Sequence, residues 1–347
     1  MYIIRADGNA RIGAGHLMRC LTIADALAEL VGSKEEILFA CADEPSAELA
    51  RAAGYEVWVL HTDYEQPETE LLRWQQLIEP KESKGGEPIV FLVDSYYVTD
   101  GYLEFLRRYG KVYLMDDMQE HAYPVDGVIN YNAFADAGVY AGLYEETGTE
   151  CLVGSEYVPI RQQFLYREYG INPKARHVLI TTGGGDVDNI AGRMLETIYQ
   201  EDMEFHVVTG RFNPHLETLR ALEQSLQGVH IYHDVADMAG LMGKCDMAVT
   251  AGGTTIYELA AIGVPFLCFS YARNQEALTR YIGEKEIAGF LGAYHVDEKA
   301  VLERLRGMFA EYCENFRLRK QCFDRERKMI DGKGAARIAA RLAAAAQ

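Results

Sequence analysis

Residues 247–269 read MAVTAGGTTIYELAAIGVPFLCF. Met247–Thr250 is a short apolar run that reads as a strand. Gly252 and Gly253 make a tight turn, because glycine tolerates backbone angles that other residues resist. Thr254 and Thr255 open a helix that runs to Ile262. Gly263 at its cap and Pro265 just beyond it stop that helix. Phe266–Phe269 is the next strand. Strand, helix and strand in so short a stretch form a βαβ unit. Neither strand alternates apolar with polar residues, so both are buried on both faces, as in a parallel sheet.

The same alternation continues on both sides. Upstream lie strand-like runs at Val178–Thr181, Phe205–Val208 and Val229–Tyr232. Helical patterns separate them at Ile190–Tyr199, Leu216–Leu226 and Ala236–Met242, and another follows at Glu276–Gly283. The first half repeats the scheme with strands at Tyr2–Arg5, Ile37–Cys41, Val57–Leu60, Ile89–Val93, Val112–Met115 and Val128–Asn130. Its clearest helix is Leu17–Val31, with apolar residues at positions 17, 21, 24, 27, 28 and 31, the stripe of an amphipathic helix. Residues Glu79–Pro88 read as a polar loop. Past Val301 the pattern is helical and ends in the Ala-rich run Ala335–Ala346.

The expected fold is α/β: two doubly wound, Rossmann-like domains facing a cleft, with a C-terminal helix. Residues 1–155 form the first domain, 156–174 a linker, and 175–347 the second domain with its helical tail. The length of 347 residues agrees, since single cores stop growing at roughly 250–300 residues. Lys and Arg number 34 against 52 Asp and Glu, a formal net charge of -18. Such a surface argues against nucleic acid and anionic membranes as partners. It does not exclude a small anionic ligand. No apolar run is long enough for a membrane span. The seven cysteines are scattered with no CxxC, which argues against disulfides and zinc and for a cytoplasmic protein.

Ligands of such sheets bind beyond the carboxyl ends of the strands, so the loops there carry the function. The first is RADGNARIGAGHLMR, residues 5–19. Gly13 and Gly15 let the backbone approach a ligand, and the helix start that follows offers free N–H groups to an anion. A nicotinamide fingerprint would need glycine where Met18 stands. His16 sits in the first helical turn. A helix N-terminus disfavours a cation there, which leaves an imidazole available as a general base. A capping role for His16 is equally open. Arg19 could bind phosphate or pair with an acid such as Asp7. Asp94-Ser95-Tyr96 and Asp116-Asp117 end two further strands on the same edge. Asp94, Tyr96 and Asp117 are grouped with His16 as candidate catalytic residues. An acid there could orient the imidazole, bind a sugar hydroxyl or simply cap a turn.

In the second half, Gly252, Gly253, Thr254 and Glu258 suit a nucleoside diphosphate. Backbone N–H groups and hydroxyls converge on phosphate at the helix start, and the carboxylate one turn on can accept from ribose. Asn274 and Gln275 in the following loop can reach a sugar or phosphate. Gly184, in the Gly183–Gly185 turn, begins another helix on this edge. Asp186-Val187-Asp188 imitates a metal motif but reads as a helix cap.

GGTTIYELAAIGVP with the following RNQE resembles the nucleotide-binding segment of the peptidoglycan N-acetylglucosaminyltransferase family, which has the GT-B fold. RADGNARIGAGHLMRCLTIADAL resembles more specifically the UDP-2,4-diacetamido-2,4,6-trideoxy-β-L-altropyranose hydrolase family and the related spore-coat polysaccharide proteins. VDSYY, MDD, VINYN and VPIRQQF carry the similarity along the chain. The resemblance implies metal-independent hydrolysis of a UDP-linked diacetamido-trideoxy sugar, with inversion and with no cofactor. It places the base on His16, the UDP on Gly252, Gly253, Thr254 and Glu258, and the sugar side on Asn274. A transferase of the same fold and a non-catalytic nucleotide-sugar-binding protein are the alternatives. The expected partner is the UDP-sugar alone, on a monomer or weak dimer.

Overall fold

The computed structural model describes residues 1–9, 11–82, 88–165, 168–183, 185–210 and 213–347. Two compact units divide the chain. The first comprises Met1–Pro159 and Gly332–Gln347, and the second Ile160–Asp331.

The first unit holds seven strands: β1 (Tyr2–Ala6), β2 (Ile37–Cys41), β3 (Glu56–Val59), β4 (Ile89–Asp94), β5 (Gly110–Met115), β6 (Gly127–Asn130) and β7 (Glu150–Val153). They lie in the order β3-β2-β1-β4-β5-β6-β7, and every pairing is parallel. The second unit holds β8 (His177–Thr181), β9 (Glu204–Thr209), β10 (Val229–His233), β11 (Met247–Ala251), β12 (Phe266–Ser270) and β13 (Gly289–Ala293). Their order is β10-β9-β8-β11-β12-β13, again all parallel. Both sheets are doubly wound, as the sequence pattern requires. β1, β2, β4, β11 and β12 are buried at every position, which accounts for their unbroken apolar runs.

The strand order reverses between β1 and β4 in one sheet and between β8 and β11 in the other. Those are the points where a crevice opens at the carboxyl edge of a doubly wound sheet. The loops after β1 and β4, and after β8 and β11, therefore border the crevices.

Three expectations differ from what is seen. Glu79–Glu82 belong to the helix Leu71–Glu82 rather than to a loop, and residues 83–87 of that stretch lie outside the described residues. β7 and β13 carry no strand signal in the sequence: Glu150-Cys151-Leu152-Val153 is short, and Gly289-Phe290-Leu291-Gly292-Ala293 holds two glycines. Pairing on an existing sheet edge overrides the weak propensity. Finally, the last helix, Gly334–Ala345, packs on the helix Gly15–Val31 of the first unit, not with residues 175–331. Its buried face is Gly334, Ala335, Ile338, Ala339 and Leu342. Gly334 lies so close to the chain that a Cβ there would come within 2.2 Å of the Val158 carbonyl oxygen. Small residues make that approach possible.

All seven cysteines are free. Among the described residues no helix is long and apolar enough to cross a membrane.

Candidate active site and nucleotide-binding edge

After β1, Asn9 and Gly13 are drawn together. The Asn9 carbonyl accepts the Gly13 N–H at 2.8 Å, and its side-chain oxygen accepts those of Arg11 at 2.9 Å and Ile12 at 3.2 Å. Gly13 has φ +74, the left-handed conformation that glycine adopts at no steric cost. The helix Gly15–Val31 then begins without a side-chain cap, so His16 does not serve as one. His16 and Arg19 are three residues apart and share one face of the helix.

That face meets the end of β4. Asp94 is 2 % exposed. Its carboxylate accepts a two-pronged grip from Arg19, Nε to Oδ2 at 2.6 Å and Nη2 to Oδ1 at 2.6 Å. Oδ1 also lies 2.6 Å from His16 Nδ1. Burial raises the Asp94 pKa, but the Arg19 guanidinium and His16 outweigh it and hold the carboxyl well below the usual range. An ionised Asp94 only accepts, and Arg19 only donates. The short contact therefore assigns the imidazole proton to Nδ1, which donates to Asp94. Arg19 Nη2, at 3.1 Å from Nδ1, is then a neighbour and not a donor to it. This tautomer leaves the Nε2 lone pair unspent.

Arg19 itself is enclosed. Nη1 reaches Asp117 at 2.9 Å and donates to the Tyr131 hydroxyl at 2.6 Å. Burial works against its charge, but Asp117 and Asp94 raise its pKa well above the ordinary arginine value. Arg19 pairs with these two acids and not with Asp7, whose carboxylate takes Arg5 and the Ala42 N–H. Tyr96 donates to Asp117 Oδ2 at 3.0 Å and sets its ring edge-on to His16, 4.6 Å between centroids. Burial of the hydroxyl, then the Asp117 charge, holds the Tyr96 proton on well beyond the usual range. Asn132 donates to Asp117 Oδ1 at 3.1 Å. The adjacent acid is engaged elsewhere, since Asp116 accepts the Met118 N–H at 2.9 Å and the Tyr140 hydroxyl. His16, Arg19, Asp94, Tyr96 and Asp117 thus form one contiguous network. Tyr131 belongs to it too, and its place just after β6 is the only sign of this in the sequence.

The second unit offers a different surface at its own switch point. Gly252 is required by packing: a Cβ would come within 2.5 Å of Thr279 Cγ2. At Gly253 nothing lies within 4 Å of such an atom, so the backbone is open to approach. The helix Thr255–Ile262 starts with no side-chain cap. The N–H groups of Thr254 and Thr255 have no backbone acceptor among the described residues. Around this edge, the buried hydroxyls of Thr182, Thr209 and Ser270 also have no hydrogen-bond partner among the described residues. Buried hydroxyls are normally paired. These three buried hydroxyls, with the uncapped helix start beside them, leave unpaired polar groups at the carboxyl edge of this sheet.

Glu258 is mostly buried and ion-paired. Arg161 donates from Nε at 3.0 Å and Nη2 at 2.6 Å, both to Oε1. Burial pushes the Glu258 carboxyl up, against the pull of Arg161. Oε2 is left for another donor. Arg161 escapes a reading of the helix start, since it stands 97 residues away in sequence, within VPIRQQF. Gln275 is buried and uses Oε1 to accept the Tyr271 N–H at 3.1 Å, so it shapes the loop. Asn274 is exposed. Gly184 lies outside the described residues, beside Gly183 with φ +92. Asp186 accepts the Ile190 and Ala191 N–H groups at 2.6 and 3.1 Å, the cap anticipated for it. Among the described residues no group of three or more His, Cys, Asp or Glu is arranged to hold a metal ion.

No protein-family model matches the chain. Over 97% of its length it is 24% identical to the spore coat polysaccharide biosynthesis protein SpsG of Bacillus subtilis, of which 96% is covered. Over 82% of its length it is 23% identical to UDP-2,4-diacetamido-2,4,6-trideoxy-beta-L-altropyranose hydrolase of Campylobacter jejuni, of which 96% is covered. Among solved structures, MurG of Acinetobacter baumannii matches with a TM-score of 0.67 at 12% identity, over 99% of both chains. A UDP-glucosyltransferase of Polygonum tinctorium matches with a TM-score of 0.67 at 13% identity, over 99% of this chain and 98% of that one. The chain is therefore similar in sequence to a spore-coat polysaccharide protein and a nucleotide-sugar hydrolase, on two Rossmann-like domains of the GT-B type.

Proposed function

We propose that the protein hydrolyses a UDP-linked amino sugar, with His16 as the general base. The observation that carries this reading is the His16 Nδ1 to Asp94 contact of 2.6 Å, because it commits the other ring nitrogen to accepting a proton. Water gives a proton to Nε2 as its oxygen bonds to the anomeric carbon. The bond from that carbon to the UDP oxygen breaks, UDP leaves with the electron pair, and configuration inverts. Asp94 stabilises the imidazolium that forms, as the acid partner of a catalytic histidine does. The uncapped helix start at Thr254 and Thr255 takes the diphosphate, and Glu258 accepts from the ribose through Oε2. The likeness to the Campylobacter jejuni hydrolase supports both the UDP moiety and the diacetamido-trideoxy sugar.

The test is UDP release from such a substrate with no acceptor added, followed by NMR for the anomer formed. His16→Ala should lower turnover by about 10²–10⁴-fold, the usual worth of a general base, with UDP affinity by calorimetry unchanged. Near-wild-type turnover in that variant rejects the assignment. A glycosyltransferase is the second reading, favoured by the solved structures of the same fold. Release of UDP only when an acceptor is supplied would establish it.

A further inference from the structure

Glu258 stands where a negative charge needs support. Its side chain is 12% exposed. The first helical turn favours a carboxylate, yet burial raises the Glu258 pKa even so. An ionised carboxylate only accepts, whereas a protonated one carries a donor of its own. What holds the charge on Glu258 therefore decides whether it can accept from a ribose hydroxyl.

The helix Thr255–Ile262 packs chiefly against β11, the helices Met238–Met242 and Phe316–Met329, and the turn Gln162–Phe164. β11 and Met238–Met242 carry no charged side chain. On Phe316–Met329, Arg327 is turned to the Ala261 carbonyl, and Glu326 is buried beside Phe266. The charge that acts on Glu258 is Arg161, just before the turn. Its guanidinium lies over the Phe164 ring, 4.8 Å from the centroid, and Phe164 is fully buried. A core side chain thus fixes the cation. Both Nε and Nη2 are spent on Oε1, so the whole grip falls on one oxygen.

We propose that Arg161 is a positioning residue for ribose recognition: by taking Oε1 of Glu258 with two donors, it keeps that side chain charged and oriented so that Oε2 accepts from the ribose of a nucleotide. The inference rests on the nucleotide part of the reading above and holds for a hydrolase and a transferase alike. It makes the choice of a ribonucleotide depend on a residue outside the helix that binds it.

The test titrates UDP, 2′-deoxy-UDP and 3′-deoxy-UDP into the whole protein by calorimetry, from mildly acid to alkaline pH. The unsubstituted protein should prefer UDP over at least one deoxy form by about 10–100-fold, the worth of a hydrogen bond to a charged group. Arg161→Met keeps an apolar stem on Phe164 and removes the charge. The Glu258 pKa then rises further, so the preference should collapse towards unity at neutral pH and return as pH rises. Arg161→Lys keeps the charge and should restore the preference at neutral pH. Affinity for the deoxy form should change little in either variant. Should Arg161→Met not fold, Arg161→Gln, with a donor and no charge, asks the same question. Equal affinity of the unsubstituted protein for all three nucleotides overturns the ribose role of Glu258 and this inference with it. A preference that Arg161→Met leaves intact at neutral pH overturns the inference alone. So does a uniform loss for all three nucleotides that neither alkaline pH nor Arg161→Lys restores.

Discussion

Asp94 sits where three demands meet. It ends β4 at the switch point, it neutralises Arg19, and it fixes the tautomer of His16. Asp94→Asn separates those roles. An asparagine amide can donate to Nδ1, which would move the imidazole proton to Nε2 and remove the base. Turnover should fall by about 10²–10⁴-fold, while UDP affinity holds. The same change leaves Arg19 facing Asp117 alone, and breaking a buried pair costs about 3–5 kcal/mol, so thermal unfolding should move to lower temperature. Asp94→Asn with full turnover would show that the carboxylate is only structural. At this scale the sequence reveals the residue types and their edge, because βα loops put them there. It does not reveal which acid serves which base. Asp116 and Asp117 are adjacent and chemically identical, and only the alternation of side chains past β5 sends one to Tyr140 and the other to Arg19. In sequence, Arg19 reads as a phosphate ligand or a partner of Asp7. Its enclosure by two acids makes it the brace that positions Asp94.

Strands β8, β9 and β10 carry His177, His206 and His230 on one face. The rings stack at centroid distances of 5.5 and 5.4 Å. His206 Nε2 is 3.2 Å from His177 Nδ1, and its Nδ1 is 3.1 Å from the Tyr232 hydroxyl. Burial, then the charges that His230 and His177 would carry, push the His206 pKa down to about 4. In the unfolded chain it returns to about 6.5. Between these values the unfolded state binds a proton that the folded state refuses. Stability contributed by neutral His206 is thus complete above about pH 6.5 and declines as pH falls towards about 4, by on the order of 3 kcal/mol at most. Urea denaturation followed from pH 7 to pH 4.5 should show this slope, and His206→Phe, which keeps the stacked ring, should flatten it. An unchanged slope in that variant would assign the effect to other groups. Element boundaries are legible wherever apolar periodicity is strong, as in Gly15–Val31 and Thr255–Ile262. The histidine row is not. His206 and His230 fall inside the runs Phe205–Val208 and Val229–Tyr232 and His177 just before Val178–Thr181, and only parallel register brings His206 opposite His230.

At the scale of the molecule, the two doubly wound sheets can be read from alternation alone, and the ownership of the last helix cannot. Ala335–Ala346 has a face of small apolar residues that would suit either unit, and the choice is made by a close approach that composition does not encode. Removing residues 332–347 takes away Ile338 and Leu342, which are 0% and 1% exposed. At roughly 1.5–3 kcal/mol for each such side chain, the first unit should lose several kcal/mol. Melting curves should show a lowered transition for that unit and an unshifted one for the second. An unshifted first transition would mean that the helix is an appendage.

The last helix also fixes an order of synthesis. Ile160–Asp331 is one continuous run, so the second unit is complete once residue 331 leaves the ribosome. The first unit is begun earlier but must wait for Gly332–Gln347 before its helix Gly15–Val31 is covered. A nascent chain therefore carries an uncovered apolar helix face until those residues emerge, a state that invites misassembly. Along the chain the second unit lies between the two segments of the first. Gly334 rests against Tyr157 and Val158, so joining Pro159 directly to Gly332 would restore the first unit as a single uninterrupted chain.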